Sequence, residues 1–228
     1  MRERSRQRAA LLFGASALTG AAFAAMAVAT AKRKTVRPDN RLHTKMRRTV
    51  KASARQKART AAPAIDKAGK WWAYTPVAIA SAAVVLTASP SARRGRRGRR
   101  VGAATLLLAP LVAKAASEAM DRWLPQPRVG RRNRPTGHPV FPSGHGLGVA
   151  AVALTTGYVA VREGLARPAI AAPAAAAAPI VIGLGRLVRE RHLASDTVGG
   201  WLAGTSLAAA LAGAYEVARQ PRESPPIR

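Results

Sequence analysis

Residues 138–145 read HPVFPSGH, and residues 186–196 read RLVRERHLASD. An apolar run begins near Leu147, just after the Ser-Gly pair of the first stretch. This order predicts a turn at the N-terminus of a helix, where free backbone N–H groups and the helix dipole attract an anion. The serine of such a turn also suits an N-cap, which is compatible with phosphate binding.

Two histidines and an aspartate stand out in these stretches. His192 and Asp196 are four residues apart, which predicts that they share one face of a helix. The carboxylate can then hold one tautomer of the imidazole, and the other ring nitrogen is available to attack phosphorus. His145 supplies a second imidazole, whereas His43 and His138 are expected to be structural.

These residues resemble the type 2 phosphatidic acid phosphatase superfamily, which includes bacterial undecaprenyl-diphosphate phosphatases and vanadium haloperoxidases. The motifs of that family read Lys-x6-Arg-Pro, Pro-Ser-Gly-His and Ser-Arg-x5-His-x3-Asp. Residues 142–145 match the second motif. The third is matched by Arg186, His192 and Asp196, with Gly185 where the family usually has serine. The ordered combination is more specific than any single motif.

The first motif of the family is matched only at its end, by residues 134–135. The position of the family lysine, seven residues earlier, is Pro127, which leaves Arg128 as the nearest cation. Lys114 lies too far upstream unless an insertion separates it from Arg134. Arg128 is therefore the expected replacement for the lysine.

Hydrophobic residues make up 48% of the 228-residue chain, and they fall into separate blocks. Six of these blocks approach the roughly 20 residues that a helix needs to cross a bilayer. They cover residues 9–31, 71–89, 101–120, 147–161, 168–187 and 197–218. The sequence therefore predicts an all-α, multi-pass membrane helix bundle with about six transmembrane helices and a core like that of the family.

The chain is expected to have four parts. They are an N-terminal hydrophobic helix (1–31), a basic segment (32–70), the family-like membrane core (71–218) and a disordered tail (219–228). The second half of the basic segment, from Val50 to Lys70, suits an interfacial amphipathic helix that leads into Trp71 and Trp72. The first part also fits a signal peptide, but its long apolar region favours a retained helix.

A net charge of +28 raises the question of nucleic-acid binding. The basic residues lie between the apolar runs with few aromatic residues among them, which argues against that partner. Basic loops on anionic lipid headgroups explain them better, at roughly 1 kcal/mol per residue near the surface. The short loop 93–100 contains six arginines and is expected to be cytoplasmic. Counting helices from it places the two histidine motifs on the extracytoplasmic side.

Metal and thiolate chemistry have few residues to support them. The chain contains no cysteine and ten acidic residues, of which Asp121, Glu190 and Asp196 lie near the motifs. A two-metal phosphatase needs more carboxylates than this to hold its ions. We therefore expect neither a metal nor another cofactor.

The resemblance implies in-line displacement in two steps. His192, oriented by Asp196, would attack phosphorus and form a phosphohistidine. His145 would protonate the leaving oxygen and then activate water, a contribution of typically ~10²–10⁴-fold.

Several groups would stabilise the transferring phosphoryl group in that mechanism. Arg134 and Arg186, together with Arg128 or the neighbouring Arg132, would neutralise its oxygens. The Ser143 side chain and the backbone N–H of Gly144 would add hydrogen bonds.

A lipid-phosphate phosphatase is the function expected from these features, with polyprenyl (di)phosphates, phosphatidic acid and phosphatidylglycerol phosphate as candidate substrates. A phosphotransferase or a vanadate-haloperoxidase-like enzyme of the same superfamily is an alternative. So is a non-catalytic membrane protein that binds anionic lipids.

Overall fold

The computed structural model describes residues 2–49, 52–88, 96–124, 141–188 and 192–220. All regular structure in these ranges is α-helical. The helices are α1 (Arg2–Ala31), α2 (Val36–Thr49), α3 (Ala52–Ala68), α4 (Trp71–Thr87), α5 (Arg96–Trp123), α6 (Gly144–Arg162), α7 (Pro168–Val188) and α8 (Ala194–Ala218).

Five of the six apolar runs of the sequence lie within helices, and the run 71–89 is helical up to Thr87. By length and composition, α1, α5, α6, α7 and α8 are long and apolar enough to cross a membrane, and α4 is an apolar helix of 17 residues. The predicted all-α, multi-pass helix bundle is confirmed. Helix α6 begins at Gly144, so it reaches its length by including the Ser-Gly turn.

Contacts between α1 and α8 show that these two helices are antiparallel. Ser5 Oγ at the start of α1 donates to Glu216 Oε2 at the end of α8 over 2.7 Å, and Ser16 Oγ donates to Ser206 O over 2.9 Å. We call the end of the bundle with the first turns of α6 and α8 the histidine end. The opposite end, where α6 and α8 finish, is the arginine end.

Helices α6 and α8 approach closely at the histidine end because α8 carries Gly200 and Gly204 on one face. A Cβ at Gly200 would lie 2.5 Å from Ser143 O, and one at Gly204 would lie 2.7 Å from Ala150 Cβ. Small residues spaced by four allow such close packing between membrane helices. The approach lets Ser143 N donate to Asp196 O over 2.9 Å.

Buried charges at the arginine end are paired within the bundle. The fully buried Glu216 forms an ion pair with Arg162 and accepts a hydrogen bond from the Tyr158 hydroxyl over 2.9 Å. Glu163 accepts a hydrogen bond from the Tyr215 hydroxyl. Removing one partner would leave an uncompensated buried charge, which is strongly destabilising.

Helices α2 and α3 form an arm at the histidine end. The sequence predicted a helix over residues 50–70, where α3 lies, but not α2. Helix α2 has no apolar run to reveal it. It is held by Asp39, which is buried and accepts from Ser195 N over 3.0 Å and from Ser195 Oγ over 2.7 Å.

Asp39→Ala should lower the thermal stability of the protein, because the first turn of α8 loses a carboxylate that satisfies a free N–H group. Loss of such a cap costs about 0.5–2 kcal/mol, and each kcal/mol lowers Tm by roughly 2–4 °C in a chain of this size. Thermal unfolding in detergent measures the effect. Lys45→Ala, at an exposed position of the same helix, is the matched control. Equal melting of both variants would contradict the docking role of Asp39.

Candidate active site

His192 lies just outside α8 and not on it. Helix α8 begins at Ala194 with Leu193 as its N-cap, so the expectation that His192 and Asp196 share a helical face was wrong. The two side chains meet nevertheless: His192 Nδ1 is 3.5 Å from Asp196 Oδ2. The other ring nitrogen, Nε2, is 2.8 Å from Arg186 Nη2. One nitrogen of the ring thus faces a carboxylate and the other faces a cation.

Asp196 is fully buried and has two structural roles. Its Oδ2 accepts a hydrogen bond from Leu193 N over 2.8 Å, which caps the first turn of α8. Its backbone oxygen accepts from Ser143 N. Asp196 therefore links the third motif to the second as well as facing the His192 ring.

Ser143 is the N-cap of α6, and its side chain is fully buried. Its Oγ accepts a hydrogen bond from Gly146 N over 3.4 Å. Gly144, the next residue, lines the cavity described below. Ser143 and Gly144 were both predicted to bind phosphate. Of the two, only Gly144 lies on the cavity wall.

A cavity of about 450 Å³ opens at the histidine end. Its wall combines cationic and imidazole groups with aromatic side chains. The lining residues are Gly69, Lys70, Trp71, Trp72, Tyr74, Lys114, Ser117, Asp121, Pro142, Gly144, His145, Arg186 and His192. His145, His192 and Arg186, which the sequence placed in one site, thus share one cavity.

Asp66 of α3 reaches this site from outside the bundle. Its carboxylate forms an ion pair with Arg186, and its Oδ1 lies 3.8 Å from His145 Nε2. Asp66 was not among the residues predicted from the sequence. One signal for it was present, because Asp66 and Asp39 are the only acidic residues between residues 32 and 70.

Lys114 lines the cavity from α5, together with Ser117 and Asp121 on the same helical face. Its Nζ lies 2.6 Å from Glu118 Oε1. This position favours the alternative in which an insertion separates Lys114 from the Arg-Pro pair of the first motif.

The other residues expected at the site lie outside the described part of the chain. They are Arg128, Arg132 and Arg134, all within residues 125–140. Their assignment to the phosphoryl group stays a prediction.

A family model of the PAP2 superfamily matches residues 9–219. The chain belongs to the PAP2 superfamily. Its fold is similar to a crystal structure described as the first transmembrane PAP2 type phosphatidylglycerolphosphate phosphatase from Bacillus subtilis. The TM-score is 0.55 at 16% identity, covering 85% of this chain and 92% of that one. No curated protein sequence matches the chain.

Membership of the PAP2 superfamily confirms the resemblance drawn from the motifs. It also supports a phosphatase that works in a membrane. The second and third PAP2 motifs meet at one cavity in this structure, because the first turns of α6 and α8 are joined. The PAP2 chain departs from the family pattern at Gly185, which lies next to α3.

Lys114→Ala should lower kcat/KM about 10- to 100-fold, because a hydrogen bond to a charged group contributes roughly 1.5–3 kcal/mol. Steady-state kinetics on a lipid phosphate measures the loss. Arg122→Ala removes an exposed cation near the end of the same helix and should have little effect. If Lys114→Ala keeps full activity and Arg128→Ala loses most of it, Arg128 would instead replace the lysine of the first motif.

Proposed function

We propose that this protein hydrolyses a lipid phosphate or diphosphate through a phosphohistidine intermediate, without a metal ion. The observation that supports the proposal most strongly is the arrangement around His192. Its Nδ1 faces Asp196 and its Nε2 faces Arg186, whose guanidinium group suits a phosphoryl oxygen. Nε2 is therefore the nitrogen in position to attack a phosphorus atom bound beside Arg186.

In the first step, the Nε2 lone pair of His192 forms a bond to phosphorus while the bond from phosphorus to the leaving oxygen breaks. The protonated imidazole of His145 gives its proton to that oxygen. In the second step His145 takes a proton from water, and the water oxygen attacks phosphorus. The bond from phosphorus to His192 then breaks, which releases inorganic phosphate and regenerates the enzyme.

Fixed positive groups stabilise the charge on the phosphoryl oxygens in this proposal. Arg186, Lys114 and Lys70 line the cavity, and the first turn of α6 presents Gly144 with the positive end of the helix dipole. Arg134 and Arg128 or Arg132 would add cations from the 125–140 segment. Ser143 acts indirectly in this scheme, because its side chain caps the helix whose first N–H groups meet the phosphate.

The cavity wall also favours a lipid substrate. Trp71 and Trp72 lie where the arm meets α4, and about half of each side chain is exposed. Tryptophans at the end of an apolar helix are typical of the boundary between lipid and water. A lipid tail can remain in the bilayer while the headgroup enters the cavity, as polyprenyl diphosphate, phosphatidic acid and phosphatidylglycerol phosphate would all require.

We also propose that the protein lies in the cell membrane with its histidine end outside the cytoplasm. The described arginines of the opposite end are Arg4, Arg6, Arg8, Arg96, Arg97, Arg99, Arg100, Arg162, Arg167 and Arg219. Short loops rich in arginine stay on the cytoplasmic side. The basic arm lies at the other end, where it contacts the bundle instead of forming a short loop. Retention of α1 stays a prediction, supported by its packing along α8.

His192→Ala should abolish turnover and also abolish labelling of the protein by a substrate with radioactive phosphate, because the variant lacks the nucleophile. Rapid acid-free quenching followed by gel analysis detects the labelled phosphohistidine, and both assays contain excess chelator. Membrane insertion and thermal stability are the controls. Phosphatase activity near that of the parent would disprove the assignment of His192, and loss of parental activity in chelator would disprove the metal-free mechanism.

His145→Ala should slow the hydrolysis of an alkyl lipid phosphate more than that of an activated aryl phosphate. An alkoxide needs a proton as it leaves, whereas an activated phenolate does not. The acid contributes typically ~10²–10⁴-fold, so the two substrates should differ by a large part of that factor when initial rates are compared. Equal losses on both would mean that His145 is not the general acid.

A further inference from the structure

Asp66 places a carboxylate between the two groups that the proposed mechanism assigns to the substrate. It pairs with Arg186, which would bind a phosphoryl oxygen. It also lies 3.8 Å from His145 Nε2, which would protonate the leaving oxygen. A carboxylate and a phosphoryl group both use anionic oxygens to bind a guanidinium group. In the proposed mechanism, Asp66 and a phosphoryl oxygen would therefore compete for Arg186.

The arm contacts the bundle at Gly185, where this chain departs from the PAP2 motif. A Cβ at Gly185 would lie 2.6 Å from Ile65 Cγ2 and 3.4 Å from Ile65 Cβ. The serine that the family usually has there would force the Ile65 side chain to shift. Gly185 thus makes room for the residue next to Asp66.

The distribution of charge along the arm also supports competition between Asp66 and an anion. Between residues 32 and 70 the chain has two acidic residues, Asp39 and Asp66, among many basic ones. Both are directed at the histidine end, since Asp39 bonds to Ser195 and Asp66 pairs with Arg186. The remaining charge of the arm is positive, so only these two residues can compete with an anion for the site.

We propose that the arm is an autoinhibitory strap, in which Asp66 is an internal anion that the substrate's phosphoryl group must displace. This inference rests on the phosphate-binding role proposed above. In the closed form Asp66 neutralises Arg186 and blocks His145. Substrate binds the open form, so its apparent affinity is reduced in proportion to the open fraction of the protein. A strap that is closed ten times as often as it is open weakens apparent binding about 11-fold.

The first test measures vanadate binding to the detergent-solubilised full chain by titration calorimetry, together with turnover of a lipid phosphate. Asp66→Asn and Asp66→Ala should bind vanadate about tenfold more tightly than the parent, with kcat/KM raised by a similar factor. Lys67→Ala, which removes an exposed charge from the same turn, should change neither value. Weaker vanadate binding and slower turnover in both Asp66 variants would show that Asp66 supports catalysis and would overturn the strap.

The second test locks the strap. The natural chain has no cysteine, and the 3.4 Å between the Cβ positions of residues 65 and 185 is close to the roughly 3.5–4.5 Å of a disulfide. In the double variant I65C/G185C, oxidation should lower vanadate affinity and turnover at least tenfold, and a reductant should restore both. The two single variants, treated with the same oxidant, are the controls. An oxidised double variant as active as its reduced form would overturn the proposal.

The outcomes separate this proposal from the proposed function. If the parent hydrolyses lipid phosphates but Asp66→Asn leaves vanadate affinity unchanged, the strap is wrong and the phosphatase function stands. If the parent and all variants fail to bind vanadate and to hydrolyse lipid phosphates, the strap and the phosphate site are both wrong.

Discussion

The hydrogen bond from Ser143 N to Asp196 O joins the first turns of α6 and α8. His145 follows one partner closely and His192 precedes the other, so this bond brings the two histidines to the same cavity. It requires the helices to approach at Gly200, where any side chain would meet the Ser143 backbone. The Asp196 carboxylate caps α8 in the same turn and faces the His192 ring. Much of the geometry of the site therefore depends on one turn of α8.

The two ends of the bundle balance charge in different ways. At the arginine end Glu216 neutralises Arg162 from a neighbouring helix of the bundle, and no ligand is needed there. At the histidine end the carboxylate that meets Arg186 comes from Asp66, on an arm outside the six bundle helices. A buried cation needs an anion in either place. In the proposed strap, a carboxylate on a separate arm would be exchanged for a phosphate without opening the bundle, whereas Glu216 is buried inside the bundle.

The sequence predicted the helix class and the convergence of the second and third motifs, because apolar runs and motif residues are local signals. His192 lay outside its expected helix, since a spacing of four does not reveal where a helix begins. The helix over residues 36–49 was missed because it is strongly polar and contains no long apolar run, although its polar and apolar residues fall on opposite faces. Lys114 was not predicted at the site because it lies further from Arg134 in the sequence than the spacing of the first motif allows. In the structure, α5 continues to Trp123 and places Lys114 on the cavity wall.

Gly185 shows how a departure from a motif can carry structural information. Alone, the replacement of serine by glycine in the third motif looks like the loss of one hydrogen-bonding group. In the structure, the space that the serine side chain would occupy is filled by Ile65. The same turn of α3 then carries Asp66 to Arg186, the residue next to that glycine. The missing hydroxyl and the added carboxylate are therefore neighbours in the structure, and both alter the surroundings of Arg186.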